Sequence, residues 1–376
     1  MCFGVLWSVL LGGYYMASGL MVADEPTDAS STASRLQLVH ADVSRGVIQN
    51  GMELRILEGN VHIQQDTLHL YCQKAIYNPK ARQMVLTGQV RIIQGKTQLS
   101  ADKITYWEDT KIAIAEGHVV LVQPGQELQT PYLVYNYETD QTRAEQWVTI
   151  KDDSQRVTIT AGRGEYLPEK ALAYVERNAH LMQMDSAGTD TLHIFARRLS
   201  YYFRPRRKAI ASQNVRVIQG NMEAQCDSIV YFLEDSIAVL RVQPRARQEG
   251  NLLTGDRMEL RLNGTRVDRI TVIGNKAHAI STADSLRGWE NQLDGKRIDL
   301  YLKNGQLDFL EAIQQASSEY YVEDNGEFVG KNVASADTIR VFFKEGQVDS
   351  IVVKGGAEGV FEPLEGSAPP VSAENP

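Results

Sequence analysis

The sequence lacks the features that mark most enzymes and nucleic-acid-binding proteins. Its 47 acidic residues outnumber 39 lysines and arginines, so the net charge is -8. No domain-wide basic field exists to displace counterions from phosphates, which argues against nucleic acid as a partner. The seven histidines show no metal-binding spacing, and nucleophile-elbow, phosphate-loop and dinucleotide fingerprints are missing. We therefore expect a non-enzymatic protein with no catalytic residues, no metal and no cofactor.

Long apolar runs are also missing, apart from one at the N-terminus. The first 22 residues carry no charge, and Val5–Val22 is apolar enough for a secretory signal or a single membrane anchor. The basic residue that usually begins a signal peptide is absent, but export is favoured over retention. We predict a signal peptide or anchor over 1–23, a linker over 24–35 and a disordered, Pro- and Ser-rich tail over 363–376.

What the sequence does contain is a repeat with a period of 29 residues. A Gly-x-Val step recurs at Gly59, Gly88 and Gly117. Between these steps runs a second phrase, Leu-x-Ala-Asp-x-Ile-x-Tyr, which is clearest at 99–106. A period of this size indicates stacked supersecondary units rather than one globular core.

The repeat is regular in one half of the chain and degenerate in the other. The regular half covers 36–200, and the degenerate continuation covers 201–362. Two insertions in the second half, at 282–291 and 317–330, predict surface loops.

The repeating units are predicted to be strands, because apolar and polar residues alternate within each phrase. The alternation breaks at Gly117 and at Ala101-Asp102. A small residue and a phase change in mid-strand predict a bulge or corner. Each repeat is then two long antiparallel strands that fold over. The predicted fold is all-β: an elongated antiparallel jellyroll of stacked repeats, with two facing sheets around an apolar groove.

Cysteine is scarce, with three residues in the chain. Cys2 lies in the leader, whereas Cys72 and Cys226 occupy the same repeat position five repeats apart. Stacked strands would separate those two by roughly 50 Å, and a disulfide needs Cα atoms within about 7 Å. We therefore expect both to be free thiols.

The phrases at 59–63, 99–106 and 115–119 resemble the OstA-like repeats of the LptA family, which LptC and the N-terminal domain of LptD share. The resemblance is strongest over 36–150 and continues in weaker form to about 361. It implies a β-jellyroll with an open apolar groove, in a periplasmic protein that carries lipopolysaccharide from the inner to the outer membrane. It also implies joining by edge strands to LptC-like or LptD-like proteins or to a second copy. This chain has more repeats than LptA itself.

Candidate site residues follow from the repeat. Inward apolar positions are predicted to line the groove, although an ordinary sandwich core explains the same residues. The lining candidates are Val61, Ile63, Leu70, Val90, Ile92, Leu99, Val119, Leu121, Leu128, Val148 and Ile150. Candidate contacts to a phosphorylated head group are Arg204, Arg206 and Arg207, because guanidinium groups suit phosphates. A solvated turn is the alternative for this basic cluster.

Two further residue types recur at the same position of successive repeats, and each such column has more than one interpretation. Aspartates recur at Asp102, Asp227, Asp256 and Asp337. Neighbours on adjacent like strands would be roughly 10 Å apart, which is too far to share an ion. A role in capping the bend is expected for them. A tyrosine column either places hydroxyls at the groove rim or builds a cross-strand ladder. Its members are Tyr77, Tyr106, Tyr135, Tyr166, Tyr201 and Tyr231.

Two other functions stay open at this point. A surface β-solenoid that binds or cleaves polysaccharide would also show strand repeats, with its carboxylates hidden among them. A polymerising scaffold that carries nothing is the third hypothesis. Strand direction discriminates the solenoid, because parallel β-helices do not fold their strands over.

Overall fold

A computed structural model describes residues 35–154, 156–184, 188, 191–248, 250–263, 266–303, 306–324, 326–344 and 347–364. The predicted leader, nearly all of the linker and most of the tail lie outside these residues, so they stay predictions. Contacts divide the described chain into two units. The N-terminal unit holds residues 35–184 and 198–205, and the C-terminal unit holds 188, 191–197 and 206–364.

The N-terminal unit is built from antiparallel strands and one 3₁₀ turn, Pro168–Lys170. Strand β12, Thr191–Tyr202, contributes residues 198–202 to it. The other strands are β1 Gln37–His40, β2 Val43–Gln49, β3 Met52–Gln65, β4 Leu68–Asn78, β5 Gln83–Gln94, β6 Thr97–Trp107, β7 Ile112–Gln123, β8 Gln126–Asn136, β9 Thr142–Asp152, β10 Val157–Leu167 and β11 Leu172–Met184.

Each long strand of this unit bends near its middle. The register between β5 and β6 shifts from Thr87↔Lys103 to Val90↔Ala101, so β5 has one extra residue there. Similar shifts occur in the neighbouring pairs from β3 to β11. One extra residue in mid-strand is a β-bulge. The bulge predicted from the phase breaks is therefore confirmed, as is the all-β class of stacked antiparallel strands.

Backbone conformation explains the Gly-x-Val step. Gly117 has φ +74° and His118 has φ +41°, so two successive residues are left-handed at the bulge. The next bulges along the chain keep this conformation without glycine, at Gln146-Trp147 and Arg177-Asn178. Glycine is the residue that adopts positive φ most easily. The Gly-x-Val step is therefore lost from the sequence of later repeats, because the bulge is retained there with residues other than glycine.

The strands of the N-terminal unit fold over until their two ends meet. Gln65, Leu68, Gln94 and Thr97 are successive cross-strand partners, so Gln65 on β3 is level with the start of β6, three strands away. Tyr106 is near the other end of β6, which is about 30 Å away in a straight strand. Nevertheless, the Tyr106 hydroxyl donates a 2.7 Å hydrogen bond to Gln65 Oε1. The two halves of each bent strand therefore face each other across one interior.

The C-terminal unit is also all-β and antiparallel in its described pairings. Strand β12 contributes residues 191–197 to it. Its other strands are β13 Lys208–Gln219, β14 Met222–Phe232, β15 Ile237–Arg241, β16 Arg245–Gln248, β17 Asn251–Thr254, β18 Arg257–Asn263, β19 Arg266–Asp284, β20 Trp289–Lys303, β21 Gln306–Asp324, β22 Glu327–Lys344, β23 Gln347–Lys354 and β24 Glu358–Pro363.

The two insertions are mostly strand rather than surface loop, so that prediction is wrong for most of their residues. Residues 282–284 and 289–291 lengthen β19 and β20 around a turn at 285–288, and residues 317–324 and 327–330 lengthen β21 and β22, so that β19 and β21 each have 19 residues. The reason lies in their composition and pairing: Tyr320 pairs with Asn332 and Val322 with Gly330 in an unbroken ladder. Aromatic and β-branched residues favour strands whenever a partner strand is present.

Candidate functional site

One cross-strand row of leucine and isoleucine runs through the interior of the N-terminal unit. It crosses ten strands, from β1 to β11 without β2, and every neighbour is a register partner of the next. We call it the Leu/Ile row. Its members are Leu38, Ile63, Leu70, Ile92, Leu99, Leu121, Leu128, Ile150, Ile159 and Leu181. Nine steps of about 4.8 Å give the row a length of roughly 43 Å.

Seven predicted lining residues belong to this row, and the other four lie beside the bulges. Those four are Val61, Val90, Val119 and Val148, each 1% exposed. Val90 pairs with Ala101 and Val148 with Ala161, so small residues accompany the valines at the bend. The structure thus places all eleven candidates on the interior side of the folded strands. Whether they contact lipid stays a prediction.

The interior is closed to solvent along most of the Leu/Ile row. Leu70, Ile92 and Leu99 are completely buried, and Leu128 is half-buried. At the edge strand the row reaches the surface, because Leu38 is 49% exposed while its partner Ile63 is 1% exposed. The apolar interior therefore has a mouth at β1.

The tyrosine column is mostly a packed ladder rather than a groove rim. Tyr106 and Tyr135 are fully buried, and each is followed across the strands by a small residue: Ala113 after Tyr106 and Thr142 after Tyr135. Large and small side chains thus alternate from strand to strand. Buried tyrosines need a partner for the hydroxyl, and Tyr135 donates to Asp140 Oδ1 at 2.8 Å.

The predicted capping of a bend by a carboxylate is confirmed for Asp256, whereas Asp102 contacts a side chain at its bend. Asp102 Oδ2 lies 2.8 Å from His118 Nδ1 across one bulge, and Asp256 Oδ2 accepts from the Asn275 backbone N–H at 2.9 Å. A depression of about 660 Å³ at the first bends has a mixed lining that includes Asp102, His118 and Arg91 as well as Val61 and Val90. Within the described ranges, no three His, Cys, Asp or Glu side chains are placed to hold a metal ion.

Sequence reasoning missed Glu108, which becomes the hub of a network at the strand ends. Its side chain is 2% exposed and accepts from the Leu36 backbone N–H at 3.1 Å and from the Tyr77 hydroxyl at 3.0 Å. Arg82 Nη2 lies 3.4 Å from its Oε1. Burial alone raises the pKa of the Glu108 carboxyl, but the hydrogen bonds from Arg82, Leu36 and Tyr77 outweigh it and the net pKa is lowered. In the sequence Glu108 was visible only as part of a turn.

The candidate head-group arginines are all exposed. Arg204 belongs to the N-terminal unit, and Arg206 and Arg207 belong to the C-terminal unit. Arg206 forms an ion pair with Asp235, and Arg207 Nε lies 3.4 Å from Glu234 Oε1. Exposed pairs of this kind are weak, so a phosphate is able to compete for these guanidinium groups.

The interior of the C-terminal unit opens near the strand ends. Ala316 is 1% exposed and Ser318 is 7% exposed on β21. The same inward face continues to Tyr320, which is half-buried, and to its partner Asn332, which is exposed. Solvent therefore reaches inward positions here that are buried in the N-terminal unit.

Cys72 lies on the buried side of the first bends, paired with Val61. Burial raises the pKa of its thiol to about 11, and burial likewise raises that of Cys226 to about 12. Both are free thiols.

At pH 8 we expect a thiol reagent such as dithiobis-nitrobenzoate to modify Cys72 about 100-fold more slowly than an exposed cysteine, because only the thiolate reacts. The rate is measured on a Cys2→Ser, Cys226→Ala chain by quenching the labelling reaction at successive times. If folded protein is labelled as fast as protein in 6 M urea, the Cys72 thiol is not protected by burial.

Edge strand β1–β2 is the most exposed apolar segment of the N-terminal unit. Val43 is 49% exposed and Ile48 is 78% exposed. Both β1 and β2 pair with β3, and the described residues pair no strand with their other edge. An open edge with apolar side chains is a site for strand addition. In the C-terminal unit, β23 and β24 pair with β22 in the same manner.

No helix among the described residues is long and apolar enough to cross a membrane.

Comparisons with known proteins agree with the strand pattern. Residues 33–189 match the family model described as OstA-like protein. A similar solved structure is LptH, described as the LptA homologous periplasmic component of the lipopolysaccharide transport device from Pseudomonas aeruginosa. It is 17% identical, with a TM-score of 0.29, and the similarity covers 38% of this chain and 95% of that chain. The search of curated proteins finds no match. Residues 33–189, which span β1 to β11, thus match the OstA-like family model, and the LptA/OstA-like resemblance read from the repeats is confirmed.

Proposed function

We propose that the chain is a non-enzymatic conduit that holds the acyl chains of lipopolysaccharide in the interior of its N-terminal unit. The observation that carries this proposal is the Leu/Ile row, which crosses ten strands without a polar residue. Keeping one CH₂ out of water is favourable by ~0.8 kcal/mol. An unbroken apolar row thus suits a chain of methylenes at every step along the strands.

The OstA-like assignment supports the same substrate and a periplasmic location. The family resemblance implies movement of lipopolysaccharide from the inner to the outer membrane, and the predicted export signal is in accord with it. The eleven lining candidates then contact acyl chains, while Arg204, Arg206 and Arg207 contact phosphates of the head group. An acyl conduit needs no catalytic residue and no cofactor.

The partners proposed for this conduit are LptC-like and LptD-like proteins or a second copy. Exposed β1–β2 is the observation that supports strand addition, because its apolar residues and free edge lie at the mouth of the interior. A partner strand added there extends the Leu/Ile row beyond Leu38. The polysaccharide-acting β-solenoid is disfavoured, since the strands are antiparallel and fold over at their bulges.

Photo-cross-linking from the edge strand tests the proposal with a matched pair of positions. Leu38 and Val43 are each 49% exposed, but Leu38 pairs with buried Ile63 and faces inward, whereas Val43 pairs with Glu58 and faces outward. With benzoylphenylalanine at Leu38, we expect an adduct to lipopolysaccharide in cells that make the protein normally. At Val43 we expect no lipid adduct.

The two positions also define the contrary result. Equal lipid adducts from Leu38 and Val43 would mean non-specific surface contact. If Leu38, and the half-buried row member Leu128 tested in the same way, give no adduct, the conduit proposal is wrong.

A further inference from the structure

The two ends of the folded strands meet along a seam in the N-terminal unit. One side of the seam carries the β3–β4 turn with Gln65 and Asp66, and the other side carries the β6–β7 turn with Glu108 and Lys111. These turns lie at opposite ends of their strands. Contacts between them therefore decide whether the interior is open or closed along its side.

Polar side chains make contacts directly across the seam. Lys111 Nζ lies 3.0 Å from Asp66 Oδ2, and the Tyr106 hydroxyl donates to Gln65 Oε1 at 2.7 Å. The second contact is buried, since Gln65 is 2% exposed and Tyr106 is fully buried. A buried hydrogen bond of this kind is costly to break unless water replaces the lost partner.

Glu108 crosses the seam as well. Tyr77 and Arg82 hold its carboxylate on its own side, and the carboxylate accepts the Leu36 backbone N–H from the opposite side. Leu36 directly precedes β1, whose first residue Gln37 pairs with Gln64 beside the β3–β4 turn. Glu108 therefore ties the edge strand to the far end of the sheet.

A closed seam conflicts with loading an amphiphilic lipid. The charged head group stays in water, because burial of an unpaired charge is strongly unfavourable. The acyl chains must therefore enter sideways, through an opening parallel to the Leu/Ile row. In the closed state Ile92 and Leu99 are completely buried and offer no such opening.

We propose that Gln65, Asp66, Tyr106, Glu108 and Lys111 form a seam latch, and that acyl chains enter the N-terminal unit only while this latch is open. This inference rests on the proposed function and adds a gate to it. Leu36 is a donor to Glu108 and directly precedes β1, so a partner strand that adds to β1 and shifts it strains one latch contact. Docking at the edge and opening of the seam are then coupled.

A cross-linker across the seam tests the latch in the full-length chain. Asp66→Cys and Lys111→Cys are combined with Cys2→Ser, Cys72→Ala and Cys226→Ala, and the two new thiols are joined by a short bis-methanethiosulfonate linker that dithiothreitol removes. The probe is palmitic acid bearing a diazirine, and mass spectrometry locates labelled peptides of the N-terminal unit. We expect linked protein to be labelled about tenfold less than the same protein after reduction, since a locked seam removes the open population.

An opened latch gives the complementary arm. Glu108→Gln with Lys111→Ala weakens the seam, and we expect N-terminal labelling to exceed that of the unchanged chain. Lys103→Ala is the matched control. It removes a 2.6 Å ion pair with Glu116 that joins two exposed side chains and does not lie at the seam. Labelling of this control should not change.

The outcomes separate the latch from the function it serves. Equal labelling of linked and reduced protein overturns the latch and leaves the conduit standing. Absence of labelled peptides from the N-terminal unit in every form, including the opened latch, overturns the conduit together with its gate.

Discussion

Replacement of Asp299 by alanine is expected to destabilise the C-terminal unit by about 2–3 kcal/mol, because it removes a charged acceptor of three hydrogen bonds and leaves the partly exposed Arg297 and Arg269 without it. Asp299 is 1% exposed. Its carboxylate accepts from Arg297 Nε at 2.7 Å, from Arg269 Nη2 at 3.0 Å and from the Thr271 hydroxyl at 2.6 Å. Urea unfolding followed by the fluorescence of Trp289, which lies in this unit, measures the loss.

Glu259 provides the matched control for Asp299. It too pairs with an arginine two residues earlier on its strand, with Arg257 Nη2 2.6 Å from Glu259 Oε2, but its side chain is 32% exposed. We expect Glu259→Ala to change the free energy of unfolding by less than about 1 kcal/mol. A cost for Asp299→Ala no larger than this would contradict the buried network.

Acid should reduce the difference in stability between wild type and Asp299→Ala. Burial raises the pKa of Asp299, but the hydrogen bonds from Thr271, Arg297 and Arg269 outweigh it, and the net pKa is lowered. A carboxyl with a lowered folded-state pKa contributes stability above the ordinary aspartate pKa and loses it as the pH falls through the folded-state value. Below that range the stability gap between wild type and Asp299→Ala should narrow.

Gly117→Ala is expected to cost the N-terminal unit about 2–4 kcal/mol, from positive φ and close packing together. Gly117 has φ +74°, and a Cβ there would lie 2.4 Å from Asp102 Oδ2. The Asp102 carboxylate is exposed and can turn away, but Asp102 Cβ would also lie only 3.1 Å from the added Cβ and moves only with the backbone. Fluorescence of Trp107 and Trp147, both in this unit, reports its unfolding.

Two companion variants separate the causes. Gly125 has φ +83° but nothing within 4 Å of an added Cβ, so Gly125→Ala should cost only about 1–2 kcal/mol of backbone strain. Adding Asp102→Ala to Gly117→Ala removes the clash and should recover part of the loss. If Gly117→Ala is no worse than Gly125→Ala, close approach of Asp102 does not explain the glycine.

The strand architecture was predictable because it is encoded locally. Period-two alternation marks the strands, and phase breaks at Gly117 and Ala101-Asp102 mark the bulges. Bulge capping by Asp256 follows from the same column. Each of these features depends on one residue and its register neighbours. The 29-residue period repeats the same pattern several times, so that it can be recognised in a single sequence.

The closed seam was not predictable, because it joins turns that are far apart along each strand. Nothing near Glu108 or Lys111 in the sequence indicates Leu36 or Asp66 as a partner. The lengthened strands β19 to β22 were missed for a related reason. Their extra residues look like insertions until a neighbouring strand supplies the pairing that makes them extended.

Edge position also changes the meaning of a residue type. Leu38 and Ile92 belong to the same row, yet one is half-exposed and the other fully buried. A pattern of apolar residues shows which side chains face inward, but the end of the stack decides which of them meet solvent. The mouth of the conduit at β1 therefore became visible only in the structure.

The central claim is that the apolar interior holds acyl chains. Native mass spectrometry with lipopolysaccharide and its separated parts tests this claim most directly. The chain is incubated with intact lipopolysaccharide, with lipid A alone, and with the polysaccharide freed of its acyl chains. An apolar interior that holds acyl chains predicts stable complexes with the first two, and with the third only weak binding through its phosphates. Binding of the acyl-free polysaccharide as strong as that of lipid A would contradict the account, because the Leu/Ile row offers nothing that a sugar could recognise.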